Sequence, residues 1–268
     1  MTELIIYIIV FLFGSVIGSF LNVCIFRIPL KKSVAFGRSH CMNCNKELKW
    51  FELVPILSFI LLGAKCRSCK SKISFQYPIV EAINGLLYIV IFLVFGWAAP
   101  ITIIYNSIYC MVASTLLVLS VIDLRTHTIP DKLSIFLFGW GLIFAIIRCY
   151  VAYVETGSIM EPLLKHGIGF FAVSLLLMLL FYATQGRGIG GGDVKLMAGA
   201  GLLLGWDVVI VSFLVGCVLA SVIHTIRMIF KKSDRVLAFG PYLSAGIYIG
   251  MVFGRTIIAW YLATFVYF

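Results

Sequence analysis

Charged side chains are scarce in this 268-residue sequence. Asp, Glu, Lys and Arg make up only 12% of the residues, whereas hydrophobic residues make up 62%. Mean hydropathy is +1.09. This composition excludes a soluble enzyme, because soluble domains contain about 25% charged residues. The sequence also lacks a short apolar region followed by a small-residue cleavage site, so we expect the first apolar run to be a retained membrane span.

Apolar runs near twenty residues long recur from one end of the chain to the other, and each could cross about 30 Å of hydrocarbon as a helix. Breaks at charges, Pro and Gly give eight candidate spans, which predicts an all-α polytopic membrane protein. The sixth run, of about eleven residues, is too short to cross straight. It is either a helix buried among its neighbours or a re-entrant segment. The spans are roughly residues 4–26, 78–96, 101–122, 132–153, 165–184, 194–204, 207–229 and 240–266.

Basic residues predict the orientation of these spans. Lys and Arg are retained on the cytoplasmic side of a membrane, and 18 of the 21 fall in alternate inter-span segments. Both termini are therefore predicted outside. The net charge of +10 is explained mostly by the basic residues of the cytoplasmic segments. We expect the lipid bilayer and not nucleic acid as partner, since nucleic acid requires a basic face on a folded domain. The basic residues in these segments are the ten from Arg27 to Lys72 together with Arg125, Lys132, Arg187, Lys195, Arg227, Lys231, Lys232 and Arg235.

The first loop, about residues 27–77, is the only sizeable polar segment, and it carries two C-x-x-C pairs separated by 21 residues. Each pair can direct two thiolates at one ion, and two pairs complete a closed tetrahedral site suited to Zn²⁺. The alternatives are four free thiols or two disulfides, which a cytoplasmic location disfavours. A closed four-thiolate site is structural and would stabilise a loop too small to build its own core. The predicted ligands are Cys41, Cys44, Cys66 and Cys69.

Between the cysteine pairs lies an apolar segment, residues 50–63, which is broken by Pro55. This segment is too short to span a bilayer as a helix. We expect it to lie in the membrane interface or against other helices, and to hold the loop at the membrane. Gly14 and Gly18, in the first span, have the small-x-x-x-small spacing of close helix packing.

Carboxylates at span ends are the main candidates for function, since ionisable groups at membrane depth are costly. Asp131 follows Pro130 and precedes an apolar run, so we expect it to cap the fourth span. Asp193 could also cap a helix. It closes the sequence G-I-G-G-G-D, however, where glycines allow close backbone approach and unusual dihedral angles. Asp123 directly follows the apolar sequence V-L-S-V-I.

Asp123 and Asp193 would share a proton if they faced each other, because two like charges a few ångströms apart do not both ionise. One would then act as an acid and the other as a base. Such a pair activates water for attack on a peptide carbonyl without a metal. Spacing alone does not show that the two aspartates meet, and a proton-coupled transporter using the same pair is an equal alternative.

Six motifs are distributed along the chain from the first span to the last. They are G-S-F-L-N-V-C-I-F-R-I-P (18–29), R-S-H-C-M-N-C (38–44), C-R-S-C-K-S-K-I-S-F-Q-Y-P-I-V-E (66–81), D-L-R-T-H-T-I-P-D (123–131), G-I-G-G-G-D-V-K-L-M-A-G-A-G-L-L-L-G-W (188–206) and F-G-P-Y-L-S-A-G (239–246). Together they resemble the successive signatures of the type IV prepilin peptidases, and the combination is highly specific.

This resemblance implies a bacterial membrane aspartic protease of the G-x-G-D class, with Asp123 and Asp193 as catalytic residues. Such enzymes cut the short basic leader from type IV prepilins and type II secretion pseudopilins, after a Gly and on the cytoplasmic side of the plasma membrane. On this interpretation the glycines approach an extended substrate strand, and Lys195 biases the pKa values of the pair or faces phospholipid. The active-site loop would comprise Gly190, Gly191, Gly192 and Lys195.

Members of the family with the cysteine loop are usually bifunctional and also methylate the new N-terminal amine with S-adenosylmethionine. Family members commonly have Pro at the position of Met42 and Asp-Asn at the positions of Glu52 and Leu53. A protease with a purely structural zinc loop is therefore an alternative, as is a zinc-stabilised membrane adaptor. Glu81 is expected to cap the second span or pair with a loop base, with assistance to methyl transfer as the alternative. No glycine-rich turn after a predicted strand indicates where the methyl donor binds.

The resemblance divides the chain into three parts. These are the first transmembrane helix (1–26), the cytoplasmic four-cysteine zinc loop domain associated with methyl transfer (27–77) and the transmembrane protease domain (78–268). The sequence gives no indication of the oligomeric state.

Overall fold

The computed structural model describes residues 2–186, 188–230 and 238–266. Within them the backbone is almost entirely helical, with a short 3₁₀ turn at Trp50–Leu53. The α-helices are α1 (Thr2–Arg27), α2 (Leu57–Leu61), α3 (Gln76–Phe95), α4 (Pro100–Thr126), α5 (Asp131–Thr156), α6 (Met160–Ala172), α7 (Ser174–Ala183), α8 (Gly191–Leu204), α9 (Trp206–Phe230) and α10 (Gly240–Phe265). Four basic residues used to predict the orientation lie outside the described residues: Arg187, Lys231, Lys232 and Arg235.

The described part of the chain contains seven helical segments that are long and apolar enough to cross a membrane. They are α1, α3, α4, α5, α9, α10 and the continuous pair α6 and α7. The predicted all-α membrane protein is therefore confirmed. The sixth predicted span corresponds to α8, whose 14 residues rise only about 21 Å.

Contacts between residues divide the chain into two compact units, Met1–Val118 and Leu119–Phe268. In the first unit, α1 packs along α3. A Cβ added to Gly14 would lie 2.8 Å from the Cα of Gly85, and one added to Gly18 would lie 2.7 Å from the Cα of Glu81. The close packing predicted from the spacing of the two glycines is thus confirmed, because only residues without a Cβ let these backbones approach so closely.

In the second unit, α8 is surrounded by α5, α6, α7 and α9. Eight of its 14 residues are buried, Asp193 among them. Glycines on its surface meet backbone on both sides: a Cβ on Gly199 would lie 3.1 Å from the backbone of Phe138 in α5, and a Cβ on Gly201 would clash with Gly169 in α6. Of the two alternatives for this run, the structure therefore has the helix buried among its neighbours.

The far end of α8 is fixed by polar contacts to α6. His166 Nδ1 lies 2.7 Å from the carbonyl oxygen of Leu202, and Lys165 Nζ donates a hydrogen bond to Asp207 Oδ2 at 2.7 Å. Asp207 belongs to the first turn of α9, which begins directly after Gly205. These two contacts hold the Leu202 end of α8 and the start of α9 against α6.

Candidate active site and metal centre

Asp123 lies in the last turn of α4, and its side chain is buried. Its Oδ2 accepts a hydrogen bond from the backbone N–H of Gly240 at 3.0 Å. Gly240 is the first residue of α10, and the first N–H groups of a helix have no partner within it and carry a partial positive charge. A Cβ at position 240 would lie 2.7 Å from the same carboxylate oxygen, so the approach requires glycine.

Asp193 is the third residue of α8 and is also buried. Its Oδ2 accepts a hydrogen bond from the backbone N–H of Gly190 at 3.2 Å. The carboxylate thus reaches back to the N-terminus of its own helix, as an acidic residue does in a capping box. Capping of a helix by Asp193, which the sequence allowed, is therefore observed.

The structure brings the two aspartates within electrostatic range, although they lie on different helices and far apart in the sequence. Asp193 lies outside the seven candidate spans, and burial raises its pKa to about 6; the negative charge of Asp123 acts in the same direction. A packing contact holds the elements together, since a Cβ on Gly192 would lie 2.7 Å from the Cβ of Ile129, in the turn that follows α4. The pair can therefore hold one proton close to neutral pH.

The glycines before Asp193 act through close approach and not through unusual dihedral angles. Gly190 has φ −77° and ψ 143°, and none of the glycines from 188 to 192 has a positive φ. Of the two possibilities that the glycines allowed, close backbone approach and unusual dihedral angles, the structure uses the first. Gly191 and Gly192 begin α8, so the segment is a helix N-terminus preceded by one extended residue, with little loop at all.

Lys195 forms an ion pair on the surface of the second unit. Its Nζ donates to Asp131 Oδ1 at 2.6 Å, and both side chains are exposed. Asp131 does not cap the fourth predicted span, because it is the first residue of α5, the N-cap is Pro130 and no side-chain cap bond forms. Its negative charge instead stabilises the partially positive N-terminus of α5 without a capping hydrogen bond.

The four predicted zinc ligands form one cluster. Their Sγ atoms all lie within 4.8 Å of one another. Cys41 Sγ and Cys69 Sγ are 3.8 Å apart, which is the edge of a tetrahedron with metal–sulfur bonds of about 2.3 Å. All four are free thiols. The arrangement fits a closed Zn²⁺ site and does not contain the disulfides that the spacing left open.

The two C-x-x-C turns repeat the same backbone geometry. In each, the N–H of the first Cys donates to the carbonyl oxygen five residues later, at 2.9 Å and 2.8 Å. The residue four positions after that Cys has a positive φ, 53° at Asn45 and 59° at Lys70. Isolated antiparallel bridges, His40 with Glu47 and Lys65 with Lys72, close both turns. The equivalence of residues 40–47 and 65–72 preorganises all four thiols.

Ser71, which the sequence did not single out, supports the thiol cluster. Its Oγ lies 3.0 Å from Cys69 Sγ. The hydrogen bond from this hydroxyl, with one from the Ser71 backbone, lowers the pKa of Cys69 to about 5. Since the thiolate is the form that binds metals, the lowered pKa makes Cys69 suited to metal binding.

Glu81 does neither of the things first expected of it. The N-cap of α3 is Phe75, and the described residues include no ion pair to Glu81. Its buried Oε2 instead accepts a hydrogen bond from the backbone N–H of Ile56 at 2.8 Å. Both expectations, a cap and a partner for a loop base, were therefore wrong.

The sequence provided little indication of the residues that position the carboxylates of Asp123 and Asp193. Gly240 stands within a recognised motif, but nothing in that motif indicates that its N–H meets Asp123. Ile129 is one apolar residue in a short turn, and its contact with Gly192 depends on the placement of α8. Only the glycines themselves signal that a backbone comes close.

Comparison with known proteins matches this arrangement to one family. Residues 12–95 match the bacterial peptidase A24 N-terminal domain, and residues 110–225 match the type IV leader peptidase family. A prepilin leader peptidase/N-methyltransferase of Aeromonas salmonicida is 31% identical, with 96% of this chain and 94% of that protein covered. Proteins of the same name from Bacillus subtilis (29% identical, 95% and 97% covered) and Legionella pneumophila (27%, 96% and 94%) are also similar.

No solved structure matches this chain. The relatives cover nearly its full length, and the matched families are peptidases, which removes the transporter and adaptor alternatives. The chain is a membrane enzyme that belongs to the type IV leader peptidase family.

Proposed function

We propose that this protein is an aspartic endopeptidase in which Asp123 and Asp193 are the catalytic pair. The observation that carries the proposal is the burial of both carboxylates in one unit, close enough for the charge of Asp123 to raise the pKa of Asp193. Each carboxylate also accepts a backbone N–H, from Gly240 or Gly190, which fixes its orientation. A fixed pair that holds one proton is the requirement for acid–base catalysis at a peptide bond.

In this mechanism the ionised aspartate removes a proton from water, and the resulting hydroxide attacks the carbonyl carbon of the scissile bond. The protonated aspartate donates its proton to the carbonyl oxygen, which gives a neutral tetrahedral intermediate. Collapse of this intermediate breaks the C–N bond: one of its hydroxyl protons returns to the aspartate that had protonated the carbonyl oxygen, and the proton taken from water passes to the leaving amine. The raised pKa of Asp193 favours it as the initial proton donor and Asp123 as the base.

We propose type IV prepilins and pseudopilins as substrates, cut after a Gly at the cytoplasmic boundary of a bacterial plasma membrane. Family membership and the names of the relatives support this assignment. The distribution of Lys and Arg supports an orientation with both termini outside, in which the buried helix α8 crosses the membrane in addition to the seven long segments. Both aspartates lie at helix ends that this orientation assigns to the cytoplasmic side. Residues 78–268 would form the protease domain.

We further propose that residues 27–77 form a Zn²⁺-binding domain associated with N-methylation of the new terminus. The thiol cluster fits the metal, which would join segments 40–47 and 65–72 into one structure. S-adenosylmethionine would supply the methyl group, as the relatives' names imply. The described residues have only isolated β-bridges and no strand entering a glycine-rich turn, so they do not fit the nucleotide site of soluble methyltransferases.

Mass spectrometry of a synthetic peptide tests the proposal. The peptide would have a basic leader, Gly-Phe and an apolar helix, and would be incubated in detergent with the enzyme and S-adenosylmethionine. We expect the wild type to release the leader, and Asp123→Asn and Asp193→Asn to lose this activity while keeping wild-type thermal stability. Cleavage at close to the wild-type rate by either folded variant would contradict the catalytic role of the two aspartates.

The mass of the same product distinguishes one activity from two. A gain of one methylene unit on the cleaved peptide supports the bifunctional enzyme. A cleaved but unmethylated product would leave the protease in place and assign a purely structural role to the cysteine loop.

A further inference from the structure

The apolar segment between the two C-x-x-C turns is attached to a membrane helix through a backbone hydrogen bond. Ile56 N–H donates to the buried Oε2 of Glu81 at 2.8 Å. Ile56 has φ +61°, a conformation unfavourable for a β-branched residue, so the bond holds a specific and costly turn after Pro55. The hydroxyl of Ser19, on α1, also hydrogen-bonds to the carboxylate. Glu81 therefore fixes the segment against α3 and α1.

The position of Glu81 sets the depth of this attachment. Glu81 is five residues beyond Gln76, the first residue of α3, which corresponds to about 7.5 Å along the helix axis. Since α3 is one of the candidate membrane spans, the backbone at Ile56 lies beside the interior of a span and not beyond its end. The rings of Phe59 and Phe75 pack with centroids 5.2 Å apart, which places α2 beside the first turns of α3.

The outer face of α2 is apolar and uncovered within its unit. Leu57, Ile60 and Leu61 are 53%, 65% and 75% exposed. Their spacing of three and four residues puts them on one face of the helix, opposite to the side that Phe59 packs against α3. At the depth set by Glu81, this face meets hydrocarbon instead of water.

Cations flank the apolar segment at both ends, Lys49 before Trp50 and Lys65 after Ala64. Long basic side chains extend from an apolar surface to the phosphate layer above it. The surrounding loop is also strongly basic, with ten Lys and Arg between residues 27 and 72 against the acidic residues Glu47 and Glu52. Its charge is complementary to anionic phospholipid headgroups.

We propose that residues 50–63 are a membrane-inserted anchor of the cysteine loop, with phospholipid as the bound partner. Leu57, Ile60 and Leu61 lie among the acyl chains just below the headgroups, and Lys49 and Lys65 contact lipid phosphates. Glu81 is the positioning residue that sets the depth. The anchor goes beyond the peptidase function and does not depend on it.

Fluorescence quenching by brominated lipid tests the anchor in the full-length protein. All five native Trp residues are replaced by Phe, and one Trp is introduced as Ile60→Trp. The protein is placed in nanodiscs of phosphatidylcholine and phosphatidylglycerol, with or without bromine on the acyl carbons nearest the headgroup. The matched control is Met42→Trp, since Met42 is 70% exposed in the same loop but lies in the first C-x-x-C turn.

We expect the emission of Ile60→Trp to fall about twofold or more in brominated nanodiscs, because a residue about 5–10 Å into the boundary contacts the bromines. Met42→Trp should be quenched much less. Equal quenching at the two positions would overturn the proposal, and this comparison requires no change at Glu81.

Two variants of Glu81 test its role in setting the depth. Glu81→Gln retains an oxygen that accepts the Ile56 N–H, whereas Glu81→Leu removes it. We expect Gln to preserve the quenching of Ile60→Trp and Leu to reduce it. Unchanged quenching in a folded Glu81→Leu protein would refute the assignment of Glu81 as the residue that holds the anchor.

Discussion

Substitution of Gly240 by Ala should displace Asp123, one of the two proposed catalytic aspartates, without changing either carboxylate chemically. The added Cβ would lie 2.7 Å from Asp123 Oδ2, and ordinary contact begins near 3.4 Å, so the oxygen must retreat by about 0.7 Å. The hydrogen bond from Gly240 N–H would then lengthen from 3.0 Å to roughly 3.7 Å, beyond the usual range of such bonds.

The expected size of the effect follows from that lost bond. A hydrogen bond to a charged group contributes about 1.5–3 kcal/mol. If the bond orients Asp123 in the transition state, its loss lowers kcat/KM by about 10- to 150-fold. We expect the substitution to lower the rate of cleavage more than the stability of the fold, because α10 continues to pack on α9.

The assay is cleavage of the synthetic prepilin-like peptide at substrate concentrations below KM, with thermal unfolding recorded in parallel. The matched control is Gly139→Ala in α5, where an added Cβ meets no atom within 4 Å. The control should cleave like the wild type. Wild-type kcat/KM in a folded Gly240→Ala protein would refute the claim that this N–H positions Asp123.

Three further predictions follow from the structure. Asp123→Asn should lower the pKa of Asp193 below its value of about 6, because removing a neighbouring negative charge makes ionisation easier; infrared titration of ¹³C-labelled carboxyls measures this, and an unchanged or higher pKa would contradict the contact. Cys66→Ser should reduce bound zinc below one per chain, as measured by atomic absorption, and should lower the Tm, whereas full zinc content would exclude Cys66 as a ligand. Lys165→Met should destabilise the protein by about 3 kcal/mol, the lower end of the range for a broken buried ion pair, since both side chains of the pair with Asp207 are still about a quarter exposed; denaturant unfolding measures the loss, and a neutral result would show that the pair does not fix α8.

The spans were predictable because the bilayer imposes one simple requirement on every crossing segment, a long apolar helix. The structure of α8 was not predictable, because a run of its length fits both a helix buried among its neighbours and a re-entrant segment. What decides the matter is the set of glycines at 199 and 201, which meet α5 and α6, and such contacts depend on partners far away in the sequence. The break between α6 and α7 at Val173 was also not predictable, because no Pro or Gly stands at that position.

The candidate site shows the same division between local and distant information. The thiol cluster was predictable because each C-x-x-C turn is local and its geometry follows from a few neighbouring residues. The partners of the carboxylates were not: Gly240 lies 117 residues from Asp123, and Ile56 lies 25 residues from Glu81. Local rules assigned Asp131 as a cap, but the ion pair with Lys195, 64 residues away, uses its carboxylate instead.

The central claim, that Asp123 and Asp193 act as one catalytic unit, is tested most directly by a double-mutant cycle. Peptide cleavage would be measured for Asp123→Asn, Asp193→Asn and the double variant, all confirmed as folded. Each single change should reduce kcat by about 10²–10⁴-fold. The double variant should be no slower than the slower single variant, because groups that act as a unit are not additive. Losses that multiply, or retained activity in either single variant, would contradict a shared-proton dyad.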